Sequence, residues 1–341
     1  MPLKGTIPDV KSSRLKFLLY GGPKVGKTTA SLKMPKSYLI DTEKGAVQKQ
    51  YIDLLKKNKG LRFEAHTFEE VIQEIRVLAT EKHDFLTVII DSYTPVYDAE
   101  VDTGEIKVGK EWGRHYGYAN KTAKRLFNLL TKIDMNVIVT AHEKNEYGAQ
   151  MEVIDKVPDG WRKLDYLFDL ILHLRKEKDG RRIATVKGTR LYEFKDGEQF
   201  EWSYENLAAR FGKDRLETET RRSDLVTEKT ATEFLDLYKS LTTAEIKKLK
   251  LDTIGKPDEV YELTEDRVRK GIEYIQSYKT STVEQIIADI YQFEKMAKSY
   301  GTTDKFFEIV PKEYDTISDL ETAKQLLELC RKQTNALTGA K

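Results

Sequence analysis

Gly21 and Gly26 bracket four residues, and a lysine and two threonines follow at once: Gly21-Gly22-Pro23-Lys24-Val25-Gly26-Lys27-Thr28-Thr29. The spacing G-x-x-x-x-G-K-T is that of a P-loop. Such a loop curls so that its backbone N–H groups converge on a phosphate, and the start of the next helix favours anionic charge. Gly26 permits close approach of the backbone, Lys27 reaches the β- and γ-phosphates, and the Thr28 hydroxyl ligates Mg²⁺. The bland alternative is a glycine-rich strand-to-helix turn with an exposed lysine.

The flanking elements favour the phosphate reading. Leu15 to Tyr20 is an apolar run too short for a lone helix and reads as a buried strand, and the residues from Thr29 to Lys33 can form a helix. Three further short apolar runs follow: Ser37 to Thr42, Leu86 to Asp91, and Asn136 to Thr140. Helical patterns separate them. One opens on a capping box, Thr67 with Glu70, and continues through Phe68, Val71, Ile72, Ile75 and Leu78; another carries Ala123, Leu126, Phe127, Leu130 and Ile133 on one face. Residues 93–113 read as a polar stretch. Strands alternating with helices imply an α/β fold with a mostly parallel sheet. Its ligands belong at the carboxyl ends of the strands, where Glu43, Asp91 and His142 fall.

From residue 168 the pattern changes. Phe168–Leu174 and Arg182–Lys187 flank Asp179-Gly180, and Leu191–Phe194 and Gln199–Trp202 flank Asp196-Gly197. Both read as hairpins that extend the sheet with antiparallel strands.

Composition bounds the rest. At 341 residues two domains are expected; 33% of residues are charged and 39% apolar, as in a soluble globular protein. No run approaches the roughly 18 apolar residues of a membrane span. The first ten residues hold no apolar signal segment, and the single cysteine, Cys330, excludes a disulfide framework, so a cytoplasmic location is expected. Net charge is +2, divided as about +5 over residues 1–210 and about −3 over residues 211–341. A surface for nucleic acid would therefore be local and on the first part.

The order of P-loop, "YLIDTEKG", "TVIIDSYT", "VIVTAHEK", hairpin and "TVKGTR" resembles a RecA-superfamily P-loop ATPase core, and its short form resembles the phage single-strand-annealing ATPases of recombination. The resemblance covers roughly residues 14–205. It implies a RecA-like core that binds and hydrolyses ATP with Mg²⁺. Asp91 takes the place of the Walker B aspartate and would orient the ion held by Thr28. Glu43 takes the place of the carboxylate that orients the attacking water, with Asp41 as local competitor. His142 stands where a residue senses the γ-phosphate, although glutamine is usual there. Lys187 and Arg190 match cationic fingers that reach the ATP of a neighbouring subunit, which would make a homo-oligomer necessary for turnover; the alternative is a turn with solvated cations.

Two segments could bind single-stranded DNA, because cations neutralise phosphates and aromatic rings stack on bases. Residues 93–118 include Lys110, Trp112 and Arg114, and residues 143–165 include Trp161, Arg162 and Lys163. The resemblance places DNA-binding loops after the third and fourth strands, where both segments lie.

The expected domains are thus an ATPase core at 1–210, a linker or exposed helix at 211–227, and a helical domain at 228–341. In the last, capping boxes at Thr230, Thr242, Ser281 and Ser318 and stripes at Val283–Ala297 and Leu320–Cys330 suggest several helices and no catalytic constellation. The expected function is an ATP-hydrolysing, single-stranded-DNA-binding protein of phage-type recombination, with a single-strand-binding protein as one conceivable partner. The alternative is an ATP-dependent helicase loader or remodelling ATPase. A small-molecule kinase would need an acceptor pocket and usually an arginine-rich lid, neither evident; a non-hydrolysing nucleotide-dependent scaffold is the blandest option.

Overall fold

A computed structural model describes residues 14–249, 251 and 257–337. The chain divides into two compact units, one ending at Leu225 and one beginning at Val226.

The first unit is a nine-stranded sheet covered on both faces. Its strands are β1 (Lys16–Gly21), β2 (Ser37–Asp41), β3 (Leu61–Glu64), β4 (Thr87–Asp91), β5 (Asn136–Tyr147), β6 (Val153–Pro158), β7 (Leu170–Lys176), β8 (Arg182–Thr189) and β9 (Gln199–Glu201). The order is β3-β2-β4-β5-β1-β7-β8-β9, with β6 paired to the outer part of β5. Pairing is parallel from β3 through to β7, and antiparallel for β7–β8, β8–β9 and β5–β6. The expected α/β sheet with antiparallel extensions is therefore present. β7 and β8 form the hairpin expected at Asp179-Gly180, but Leu191–Phe194 forms no strand, and β9 pairs directly with β8.

The helices are α1 (Lys27–Ser31), α2 (Lys49–Lys57), α3 (Phe68–Thr80), α4 (Tyr93–Val108), α5 (Arg114–Lys132), α6 (Tyr204–Phe211) and α7 (Lys213–Glu217). The Thr67–Glu70 capping box starts α3 in both of its hydrogen bonds. α3, α4 and α5 bury Phe68, Ile72, Val96, Leu126 and Phe127 against Leu18, Val88 and Val139 on one sheet face. On the other face α1, α2, α6 and α7 bury Ala30, Leu55, Leu207 and Leu216 against Phe17, Leu19, Ile89 and Ile138. Both faces of the central strands are thus apolar, which is why they read as continuous runs rather than alternating ones.

Three further expectations about the first unit are corrected. Residues 93–113 are mostly the helix α4, not a polar loop. Residues 143–165 are not a loop throughout, because β5 continues to Tyr147 and pairs with β6 in an exposed hairpin. The stretch 211–227, expected as a linker or exposed helix, is packed on the first unit as far as Leu225: Leu216 is fully buried, and Arg14 ion-pairs with Asp134 while donating to the carbonyls of Thr218 and Glu219.

The second unit comprises α8 (Glu228–Lys239), α9 (Thr243–Lys248), α10 (Glu265–Ser299), α11 (Thr303–Ile309), α12 (Leu320–Lys332) and α13 (Thr334–Leu337). The first half of α10 packs with Phe234 and Val260, and its second half with Phe306, Leu327 and Cys330. Thr242 and Thr264 cap helices, whereas Ser281 lies inside α10 and bonds back to the Ser277 carbonyl. No helix among the described residues is long and apolar enough to cross a membrane.

Candidate active site

Because β1, β2, β4 and β5 are parallel and adjacent, their carboxyl ends meet at one edge of the sheet. Gly21 closes β1, Asp41 closes β2, Asp91 closes β4, and His142 is paired with Gly21 where β5 passes the edge. The loop after β1 leads directly into α1. A cleft of about 710 Å³ opens there, lined by P-loop residues including Gly26, Lys27, Thr28 and Thr29 and by Glu43, Asp91, His142 and Arg182. The P-loop, Glu43, Asp91 and His142, the four chain-distant positions expected from sequence, thus converge on one cavity, and Arg182 joins them.

Gly26 has φ of 95°, which disfavours any residue with a Cβ. Lys27 lies across the loop and donates to the carbonyls of Gly21 and Gly22 at 2.9 and 3.1 Å. Burial lowers its pKa, and the carboxylates of Asp91, Glu43 and Glu143 oppose that shift. An ammonium held by neutral carbonyls can be redirected to a phosphate, a stronger acceptor.

Thr28 Oγ1 donates to Asp91 Oδ2 at 2.6 Å, and Thr140 donates to Oδ1. Asp91 is 8% exposed, and burial raises its pKa against these two hydrogen bonds. A buried carboxylate beside a threonine hydroxyl suits a divalent cation. Among the described residues no cluster of three or more His, Cys, Asp or Glu forms a metal site. Thr28 and Asp91 would therefore hold Mg²⁺ only together with phosphate oxygens, as in nucleotide-bound Mg²⁺ generally.

The two candidate carboxylates differ sharply. Asp41 is 1% exposed, bonded to Arg62 at 2.7 Å, and accepts from the backbone N–H groups of Glu43 and Ala46. The two N–H contacts brace the 42–46 loop, and the Arg62 pair ties β2 to β3. Glu43 instead projects into the cleft, its Oε1 2.7 Å from His142 Nε2. The next residue, Glu143, reaches Lys156 of β6 and His173 of β7, the latter at 2.8 Å. Burial would raise the Glu143 pKa, but these two partners hold it below the usual range.

Lys187 and Arg190 are not brought to this cleft. Lys187 is ion-paired with Asp155 of β6 at 2.6 Å, and Arg190 donates to the Tyr166 carbonyl. Thr189 pairs with Leu170, which in turn pairs with Phe17 near the start of β1. Arg190 therefore stands at the sheet edge opposite the P-loop of its own chain. The cation that the hairpin does deliver is Arg182, at the start of β8. Sequence reading passed over it, although the signal was available: a strand parallel to β1 ends at the P-loop edge, so a hairpin returning from it starts there too.

The two DNA-candidate segments converge in part. Trp161, Arg162 and Lys163 line a second groove of about 640 Å³ with Tyr97 and Tyr116, and with Lys144 ion-paired to Asp159. Trp161 also stacks on Phe127. Lys110, Trp112 and Arg114 do not line it: Lys110 is ion-paired to Glu105, and Trp112 is 96% exposed at the α4–α5 corner.

Residues 13–197 match a sequence model described as an AAA domain. No curated protein matches the chain.

Proposed function

The chain belongs to the AAA domain family, and from that premise we propose that it is a Mg²⁺-dependent ATPase of phage-type recombination that binds single-stranded DNA and promotes strand annealing or pairing in the cytoplasm. The observation that carries the ATPase reading is the placing of Glu43 and His142, 2.7 Å apart, in the same cleft as Lys27, Thr28 and Asp91.

In this reading Lys27 leaves the carbonyls of Gly21 and Gly22 for the terminal phosphates. Thr28 and Asp91 would hold Mg²⁺, which when bound would supply charge neutralisation at the phosphates. Glu43 orients a water against the γ-phosphorus and takes its proton as the new P–O bond forms; the bond to the β–γ bridging oxygen breaks, and ADP departs with that electron pair. His142 fixes the Glu43 carboxylate. Lys187 and Arg190 act on a neighbouring subunit's nucleotide, so the active oligomer is built from copies of this chain.

The DNA reading is supported by the groove, which combines three aromatic rings with Arg162 and Lys163 within the first unit. Its arrangement suits sequence-tolerant stacking along a neutralised backbone. A single-strand-binding protein is the partner that such an activity would meet on its substrate.

The test is ATP hydrolysis by wild type and Lys27→Ala, with and without single-stranded DNA, alongside annealing of complementary strands. Turnover that DNA stimulates and Lys27→Ala abolishes is expected, with annealing by the protein alone. Wild-type turnover by a folded Lys27→Ala protein overturns the P-loop assignment. Turnover without any single-strand binding overturns the recombination reading and leaves a loader or remodelling ATPase.

A further inference from the structure

Arg182 opens β8 on the P-loop edge of the sheet. Its backbone is fixed: it pairs with Lys176 across the hairpin, and its carbonyl accepts from the Trp202 N–H at 2.7 Å. Its side chain crosses to the P-loop of the same chain. Nε donates to the Val25 carbonyl at 3.2 Å, and a Cβ built on Gly26 would lie 2.2 Å from Nε and 2.8 Å from Nη2. The guanidinium therefore rests on the face of Gly26 while lining the nucleotide cleft. Gly26 is required twice over, by its positive φ and by this contact.

The other arginines near the sheet edge have anionic partners. Arg62 is bonded to Asp41, Arg175 to Glu177, and Arg181 to Asp179. Among the described residues no carboxylate lies within ion-pair distance of Arg182; its acceptor is one neutral carbonyl. Lys27 is held in the same way, on the carbonyls at the other end of the same loop. Two cations thus lie on neutral oxygens at opposite ends of a loop shaped to surround an anion. A polyphosphate offers both a charged acceptor, and a guanidinium can engage it through two N–H groups at once.

We propose that Arg182 is a phosphate-binding residue supplied in cis, which leaves the Val25 carbonyl for the nucleotide polyphosphate. The proposal rests on the ATPase reading and deepens it. It differs from the finger reading of Lys187 and Arg190 because every subunit completes its own phosphate site with its own Arg182.

The test is displacement of a fluorescent ATP analogue from the full chain by ATP and by AMP, for wild type, Arg182→Ala, Arg182→Lys and, as control, the exposed Arg181→Ala. Circular dichroism confirms folding of each. Loss of the charge-assisted contact should weaken ATP binding about tenfold or more in Arg182→Ala and AMP binding less than about threefold, while Arg182→Lys, which keeps the charge but not the two-pronged contact, falls between wild type and Arg182→Ala. Arg181→Ala should match wild type. Wild-type ATP affinity in folded Arg182→Ala, or equal losses for ATP and AMP, overturns the proposal. A wild-type protein that binds no ATP instead removes the nucleotide reading on which it rests.

Discussion

Glu43 and His142 meet at 2.7 Å although they are 99 residues apart in the chain. The contact exists because β2 and β5 both flank β4, so the turn after β2 and the outer part of β5 lie over the same edge. His142 precedes Glu143, whose carboxylate reaches β6 and β7. A change in the Glu43 contact is thus one residue away from the base of the β5–β6 hairpin. In the ATPase reading, this pair links the water-orienting group to the exposed β5–β6 hairpin.

Glu43→Gln should leave ATP binding and folding intact and slow hydrolysis by about 100-fold or more, because the amide keeps the shape but cannot take the proton. Asp41→Asn should behave in the opposite way. It weakens the Arg62 pair and the bracing of the 42–46 loop, lowering stability by about 1–3 kcal/mol, with a smaller effect on the chemical step. Single-turnover hydrolysis and thermal melts on both variants decide the matter. A hydrolysis defect confined to Asp41→Asn would reverse the assignment of the two carboxylates.

Asp91→Asn should separate stability from function. Burial raises the folded-state pKa of Asp91 above the ordinary carboxylate value of 3.8. The folded protein therefore holds this proton more tightly than the unfolded chain does. Stability from this group is fully present below the unfolded value, falls as pH rises through the folded one, and is lost above both. Asn removes the cost of burying the carboxylate and can still bond Thr28 and Thr140. Without nucleotide the variant should melt about 2–5 °C higher at pH 7, with the advantage shrinking toward pH 4, while Mg²⁺-dependent turnover falls by about two orders of magnitude. An unchanged or lower melting temperature at pH 7 would show that the buried Asp91 carboxyl does not destabilise the fold.

The P-loop and the strand-end carboxylates could be read in the sequence because their signals are local. Spacing alone defines the loop, and each central strand is buried on both faces. Other elements gave no such signal. β3 is four residues at the sheet edge with none fully buried, so no apolar run marks it. α4 does place Tyr93, Val96, Tyr97 and Val101 on one face, but Ile106 falls off it, polar and acidic residues lie between them, and Pro95 falls in its first turn, where proline is tolerated, so the stripe is masked. β5 changes from buried to exposed at His142, so its outer half looks like loop. Arg182 could be reached only through topology: once β7 runs parallel to β1, the start of β8 falls at the P-loop edge, a relation between strands rather than a pattern within one.

Subunit mixing tests the remote cations. Lys187→Ala/Arg190→Ala protein and Lys27→Ala protein should each lack turnover alone. Mixed, they form interfaces in which an intact P-loop meets intact cations, and up to about a quarter of wild-type turnover should return if subunits pair at random and the fingers contribute the usual orders of magnitude. Lys187 must first leave Asp155, whose carboxyl it holds below the usual range. Native mass spectrometry would verify mixed oligomers. No recovery in such oligomers would leave Lys187 and Arg190 as structural cations, one tying β8 to β6 and the other to the Tyr166 carbonyl.

The groove beside Trp161 exposes the DNA reading to the most direct test. Arg162→Ala/Lys163→Ala should weaken single-strand binding for all sequences and flatten its salt dependence, because fewer counterions are released. Tyr116→Ala should weaken binding with little change in salt slope, since a stacked base is worth ~1–3 kcal/mol and releases no counterion. Trp161→Ala should do the same but also lower the melting temperature, because the indole stacks on Phe127. Trp112 carries no such packing cost: at 96% exposure it can be removed without touching the core, so Trp112→Ala, with Lys110→Ala and Arg114→Ala, asks cleanly whether the α4–α5 corner contributes. Basal ATP turnover should persist in all of these variants, while its stimulation by DNA declines with affinity. Anisotropy titrations of a labelled oligonucleotide at several salt concentrations supply both the affinity and the slope. If neither set of substitutions alters affinity, while substitutions in the second unit do, the strand binds there, despite the net negative charge of that part of the chain.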